Sequence, residues 1–287
     1  MFLLEQVING LTLGSLYGLV AVGLALILGV ARFVNLAHGQ VMMLSAYLIL
    51  WLSRRQGLPY VPAVLLTVAS LGTAGVLTAV AAQRVIRSSW RTQLVATLAA
   101  AVILESLVIV GFGAVPQVLP TDYSRKVIQM AGLFVSVQRL LVFAVVATMF
   151  AGLQVFLAHS RSGKATRAVA QNRELAEALG VDTVRVAAVT FGIAFGLAGL
   201  AGTLVSPLYT IYPAMGTAVT FKALAAVVMG GFGQVTGTLA AALLLGVAES
   251  LASGFGLSAY QDSLAFLLMI GVLVLRPQGL FGTRVRV

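Results

Sequence analysis

Cysteine is absent from the 287 residues, and only two histidines occur. That excludes a disulfide framework, a thiolate metal site and a cysteine nucleophile. It also leaves too few imidazoles for a metal centre, so none is expected. Charge is equally scarce: 9% of residues are charged and 60% are hydrophobic, where soluble domains carry about 25% and about 45–50%. A water-soluble fold could not hide so much apolar surface, because a single core stops growing at about 250–300 residues. No Walker-type Gly-rich loop ending in Lys-Ser/Thr is present, so the chain is not expected to bind ATP itself. No nucleophile–base set marks it as an enzyme. Low-complexity tracts and a separable soluble domain are also missing, so residues 1–287 are read as one transmembrane domain.

What is present is a series of long apolar runs. A bilayer accepts such runs only as helices or as a closed barrel. Barrel strands alternate in polarity over about ten residues, whereas these runs are continuous and near the helical spanning length of about 20 residues. The fold class is therefore all-α, a polytopic transmembrane helical bundle of about 8–10 spans. Nine segments are read: 7–29, 36–52, 60–82, 93–114, 137–158, 186–206, 217–232, 235–254 and 260–276. The first is too long for a signal h-region and lacks a basic flank, so it is expected to be retained.

The net charge is +10, but basic residues lie between apolar runs and are not interleaved with aromatics. Orientation, not nucleic-acid binding, accounts for them. One arrangement puts loops 30–35, 83–92, 159–185 and 276–287 on one side, with twelve basic residues including Arg284 and Arg286. The other side receives five: Arg54, Arg55, Arg125, Lys126 and Arg139. The bias toward the cytoplasm places the N-terminus outside and the C-terminus inside.

Two segments depart from a plain span. Asn35-Leu36-Ala37-His38-Gly39-Gln40 is a polar opening to an apolar run, and 217–232 is short, carries Lys222 and ends in Gly230-Gly231-Phe232-Gly233. Interrupted spans in the two halves of a transporter point to broken helices beside a pathway. Asn35, His38, Gln40, Lys222, Gly230, Gly231 and Gly233 are the residues expected along it; misplaced loop ends are the alternative. Glu105 and Glu249, also inside spans, are expected to pair with polar groups in a structural role. His38 is a structural histidine on this view, and Lys222 has the stronger functional case. Gly192, Gly196, Gly199 and Gly202 share one helix face, expected to serve close packing.

The longest polar stretch, 159–185, has strong helix formers over 164–179. Ala168, Leu175, Ala176 and Leu179 form a stripe at helical spacing, Lys164, Arg167, Arg173, Glu174 and Glu177 flank it, and Gly180 stops it. This predicts one short amphipathic helix on the cytoplasmic face. It could lie on anionic lipid, connect two spans, or dock into a groove on a partner. Three acids, Glu174, Glu177 and Asp182, argue against a pure lipid binder.

Gly163-Lys164-Ala165-Thr166-Arg167-Ala168, Ala170-Gln171-Asn172-Arg173 and Leu179-Gly180-Val181-Asp182 resemble the coupling segment of branched-chain amino acid ABC importer permeases. Asn9-Gly10-Leu11 with Gly14-Ser15-Leu16-Tyr17, Asn35-Leu36-Ala37-His38-Gly39, Ala225 through Gly233, and Arg276 through Gly282 resemble other motifs of that family, in order along nearly the whole chain. The pattern is that of the shorter, H-type subunit. Gln40 departs from it, since many relatives carry Glu there.

The resemblance implies a type II importer fold in the cell (inner) membrane, with a second permease subunit in a heterodimer, two cytoplasmic ATPases and an external or periplasmic solute-binding protein. ATP and Mg would be held by the ATPases, and this chain would need no cofactor. Lys164, Arg167, Asn172, Arg173, Glu174, Leu175, Leu179 and Gly180 would couple to an ATPase. Branched-chain or related hydrophobic amino acids are the implied cargo, with urea, short amides or aromatic acids as alternatives carried by relatives. An ion-coupled carrier working alone is the rival of another class. It usually needs more midplane ionisable residues than Glu105, Glu249 and Lys222 supply.

Overall fold

The computed structural model describes residues 2–130 and 133–282. Arg284 and Arg286, counted above toward orientation, lie outside the described residues. In chain order the helices begin with α1 (Phe2–Ala31), α2 (His38–Arg54), α3 (Tyr60–Ala81), α4 (Gln83–Ile86), α5 (Trp90–Phe112) and α6 (Asp122–Arg125). A hairpin of β1 (Val127–Met130) and β2 (Leu133–Ser136) leads into α7 (Val137–His159), α8 (Arg161–Gln171), α9 (Arg173–Ala178) and α10 (Thr183–Val205). The chain continues through α11 (Met215–Gly230), α12 (Val235–Gly254) and α13 (Gln261–Leu275). Each of the nine apolar segments is a helix.

Seven helical segments are long and apolar enough to cross a membrane, the last being α13 together with the 3-10 turn that leads into it (Ser258–Leu275, 18 residues); α2 and α11 are shorter, at 17 and 16 residues. At 1.5 Å per residue they reach only about 24–26 Å, against a hydrocarbon core of about 30 Å. These are the two segments that looked interrupted in the sequence. The hairpin was not anticipated. It is antiparallel, with Val127 opposite Ser136 and Ile128 opposite Val135, and it sits between two spans, where Val127, Ile128, Phe134 and Val135 are residues that suit a strand.

Central and peripheral helices differ in what they touch. α1 and α10 are buried along most of their length, while α5, α7 and α13 bury only a narrow seam. Because lipid is as apolar as a leucine core, helices here associate through close packing and polar bonds. The α1–α12 contact relies on absent side chains. A Cβ on Gly14 would lie 2.7 Å from the Ala242 carbonyl oxygen, and one on Gly246 would overlap the Gly14 amide. The glycine face of α10 packs likewise: Gly192 against Val76, Gly199 against Leu71, and Gly202 against Met42 and Ser45.

The connection from α1 to α2 runs through the protein with its amides satisfied by other elements. α1 ends where Arg32 takes a left-handed conformation, φ 50°. The Val34 amide then donates to Gln93 Oε1 at 3.3 Å, and the Leu36 amide to Thr97 Oγ1 at 3.2 Å, both on α5. Asn35 Oδ1 accepts from the Ala37 amide at 3.1 Å. α2 has no side-chain cap of its own; its Gly39 amide donates to Thr220 Oγ1 of α11 at 3.0 Å. Both short helices therefore start side by side, and Gly39 and Gly216 let their backbones meet.

One sequence expectation needs correction. Residues 164–179 do not form a single helix: the chain breaks at Asn172 (φ −151°, ψ 106°), whose side chain caps α9 by accepting from the Leu175 amide. The local asparagine bond competes with helix continuation and wins. The buried stripe also differs. Gly163, Thr166, Val169 and Ala176 face inward, while Ala168, Leu175 and Leu179 are exposed.

Replacing Gly246 by leucine is expected to push α1 from α12 and to cost about 1–3 kcal/mol or more, read as a lower melting temperature of detergent-purified protein. Gly271→Leu, at a position with open space around it, should leave the melting temperature unchanged. Equal melting behaviour of the two variants would contradict the close-packed seam.

Candidate functional site

Both ends of the bundle carry candidate features. At the end where α1 begins, a cavity of ≈ 630 Å³ opens between α1, α2, α7, α10, α11, α12 and α13. Asn9, Leu13, Leu16 and Tyr17 come from α1, Arg139 from α7, Lys222 from α11, Glu249 from α12 and Asp262 from α13.

Lys222 is the centre of a polar cluster in this wall. Its Nζ lies 3.0 Å from Glu249 Oε2 and 3.1 Å from Asp262 Oδ1. It also donates to the Tyr17 hydroxyl at 3.1 Å, and that hydroxyl donates to Glu249 Oε2 at 3.0 Å. The side chains of Lys222 and Glu249 are 11% and 1% exposed, whereas Asp262 is 76% exposed. Charges removed from water persist only when paired, and here one ammonium bridges two carboxylates contributed by different helices. Glu249 Oε1 and Asn9 Oδ1 are buried with no hydrogen-bond partner among the described residues. Arg139 has no salt-bridge partner among them. Tyr209, in the connection between α10 and α11, has its phenol pushed above the usual range by burial, and the Arg139 guanidinium opposes that rise.

Of the seven residues expected along a pathway, Lys222 lines this cavity; the other six do not. Asn35 holds the turn before α2. His38 is fully buried beside Gly23 of α1, with its ring 5.8 Å from that of Phe195. Gln40, also fully buried, donates to Thr217 Oγ1 at 3.0 Å and at 3.5 Å to Glu105 Oε2, so Glu105 sits at the joint start of α2 and α11. Gly230, Gly231 and Gly233 lie at the far end of α11. There Gly231 (φ 103°) and Gly233 (φ 73°) turn the chain into α12. The Leu280 amide donates to the Met229 carbonyl at 2.7 Å, and the Phe281 amide to that of Gly230 at 3.3 Å. The Gly-rich turn and the C-terminal motif 276–282, far apart in sequence, are thus one structural unit.

Tyr17, Asp262, Arg139 and Asn9 were not singled out as site residues. Asp262 sits where the last apolar run begins and Arg139 where another begins, so both look like flanking charges; Tyr17 and Asn9 carry a signal only as members of the first-helix motif, which assigns them no site role.

At the other end, α8 and α9 pack on the close of α1 and the opening of α10 through Val30, Val169, Ala176 and Val186. Gly163 permits contact with the Phe156 carbonyl. Arg173 bonds Glu177 at 3.0 Å, and the Thr183 hydroxyl donates to the same carboxylate at 2.8 Å, tying α9 to α10. The Thr183 and Arg173 bonds hold the Glu177 carboxyl below its ordinary range. The tie therefore persists where a free glutamate begins to protonate, and is lost as pH falls through the lowered value. Lys164, Arg167, Asn172, Glu174, Leu175, Leu179 and Gly180 are exposed, with Leu175 at 57% and Leu179 at 76%.

Residues 6–273 match the family described as branched-chain amino acid transport system / permease component. The chain is 32% identical to the high-affinity branched-chain amino acid transport system permease protein BraD of Pseudomonas aeruginosa, over 97% of this chain and 95% of that protein. It is 30% identical to the corresponding permease protein LivH of Escherichia coli K12, over 98% and 96%. A probable branched-chain amino acid transport permease protein of Methanocaldococcus jannaschii is 27% identical over 93% and 89%. No solved structure matches the chain.

The cluster around Lys222 makes a stability prediction. Lys222→Met leaves Glu249 buried without its cation and should cost about 3–5 kcal/mol. Lys222→Met combined with Glu249→Leu should recover most of that loss. Thermal melts of the four proteins of this cycle decide it: a double variant as unstable as the single one would mean that the pairing is not what holds the wall.

Proposed function

The chain belongs to the branched-chain amino acid transport permease family, and from that premise we propose that it forms the membrane-spanning half of an ATP-driven importer for branched-chain or related hydrophobic amino acids. The observation that carries this is the family match over 6–273, which includes the bundle, the α8–α9 loop and the cavity. The chain works with a second permease subunit and two ATPases, and an external solute-binding protein delivers cargo. ATP and its Mg are held by the ATPases. The protein resides in the cell inner membrane with α1 starting outside, so the cavity opens toward the binding protein and α8–α9 toward the cytoplasm.

Coupling then has a physical basis. Val169 and Ala176 fasten the loop to the bundle, while Leu175 and Leu179 stand exposed at its surface. Exposed leucines on a fastened ridge fit an apolar cleft on a partner. The short length of α9 and its ties to Thr183 make the ridge stiff, so movement of an ATPase cleft is passed to the start of α10. Asn35, His38, Gln40, Gly230, Gly231 and Gly233 serve the pathway from the packed interior, at the joints of the two short helices, and Lys222 serves it at the cavity wall.

Leucine uptake in cells carrying the whole importer tests the reading. Leu175→Asp and Leu179→Asp should each reduce uptake by at least tenfold and weaken ATPase co-purification, since a buried unpaired carboxylate costs several kcal/mol, with protein still in the membrane. Uptake at wild-type rate by both would rule out docking through this ridge.

Orientation is tested separately, because the chain has no cysteine. A Ser162→Cys variant should react only after the cytoplasm is opened to reagent, and Thr121→Cys should react with impermeant reagent outside. The opposite labelling would invert the topology.

A further inference from the structure

The cavity at the α1 start is built like a receptor for a dipolar ion. Its charged wall residues divide into two groups. Lys222, Glu249 and Asp262 are bonded to one another, and two carboxylates with one ammonium give that cluster a net charge of −1. Arg139, on α7, supplies +1 and has no carboxylate partner among the described residues. The wall as a whole is neutral but carries separated charge. An anion gains only at the Arg139 end and a cation only at the carboxylate end, whereas a ligand with both charges gains at both.

Two further features sharpen the match. Asp262, at 76% exposed, offers its carboxylate to the cavity, while Glu249, at 1% exposed, holds its charge behind Lys222. The lining also includes the aliphatic Leu13, Leu16, Met42, Val205 and Val219. The volume of ≈ 630 Å³ falls within the range of about 300–1,000 Å³ usual for small-molecule pockets.

We propose that this cavity is a binding site for a free amino acid with an apolar side chain, its ammonium toward the exposed carboxylate of Asp262, its carboxylate toward Arg139, and its side chain against the aliphatic wall. The inference rests on the importer reading above and adds a resting place for cargo within this subunit itself.

The test uses the assembled importer in lipid nanodiscs, equilibrated with radiolabelled leucine in the absence of the external binding protein. Saturable binding is expected. At equal concentration neither 4-methylpentanoate, which lacks the ammonium, nor isoamylamine, which lacks the carboxylate, should compete as leucine does. Arg139→Gln should weaken leucine at least about tenfold, the worth of a charge-assisted bond, while leaving isoamylamine binding no weaker than before. Ala218→Trp, which fills the cavity, should abolish binding of leucine. No saturable leucine binding by a complex that does import leucine overturns the assignment. So does binding unchanged in both variants, or competition by either half-molecule as strong as by leucine. A complex that assembles and hydrolyses ATP but imports no leucine removes instead the functional reading beneath it.

Discussion

The absence of water in the hydrocarbon core governs the rest of this structure. Any backbone group or charge at that depth must find its partner within the protein. The connection 32–37 crosses the interior only because Gln93 and Thr97 stand on the buried seam of α5 and accept its amides. Lys222 is tolerated only because Glu249, Asp262 and Tyr17 surround it. Remove those partners and neither the break nor the charge has a place. The polar residues of this apolar chain are therefore concentrated where helices are broken or where a cavity is lined.

The same constraint separates two kinds of helix. α1 and α10 are enclosed by protein and can be rich in glycine and alanine, which bring neighbouring backbones together. α3, α5 and α13 present leucine, valine and isoleucine outward, as a surface without water allows. The two short helices fall in neither class. Their starts are bonded to each other: Thr220 of α11 accepts from the Gly39 amide and so caps α2, and Gln40 of α2 donates to the Thr217 hydroxyl. A helix start buried without such a partner would carry several unmatched amides.

Much of this could be read from residue order. The apolar runs marked the nine long apolar helices, though not the four short polar ones, because length and continuity are properties of single segments. The polar opening at Asn35 and the short run around Lys222 marked the two irregular helices for the same reason. What escaped was anything depending on pairing across the chain. Asp262 looks like a boundary charge until α13 is packed against α11. The Gly-rich turn looks like a hinge near a pathway until 276–282 is seen bonded to it. The break at Asn172 was hidden because helix propensity is high on both sides, and one capping bond outweighs it.

The joint between the short helices has a mechanical meaning. α11 is fastened to α2 from Gly216 to Thr220, through Gln40 at Thr217 and the Gly39 amide at Thr220, and ten residues run on from there to Gly230. At 1.5 Å per residue that is an arm of about 15 Å. If the helix tilts as a rod about its fastening, the glycine turn at the end of the arm moves furthest. Lys222 lies only two residues from the fastening and hardly moves. The ion cluster can thus stay intact while the opposite end of the same helix swings, which lets one wall of the cavity report to the other side of the membrane without breaking its costliest bonds.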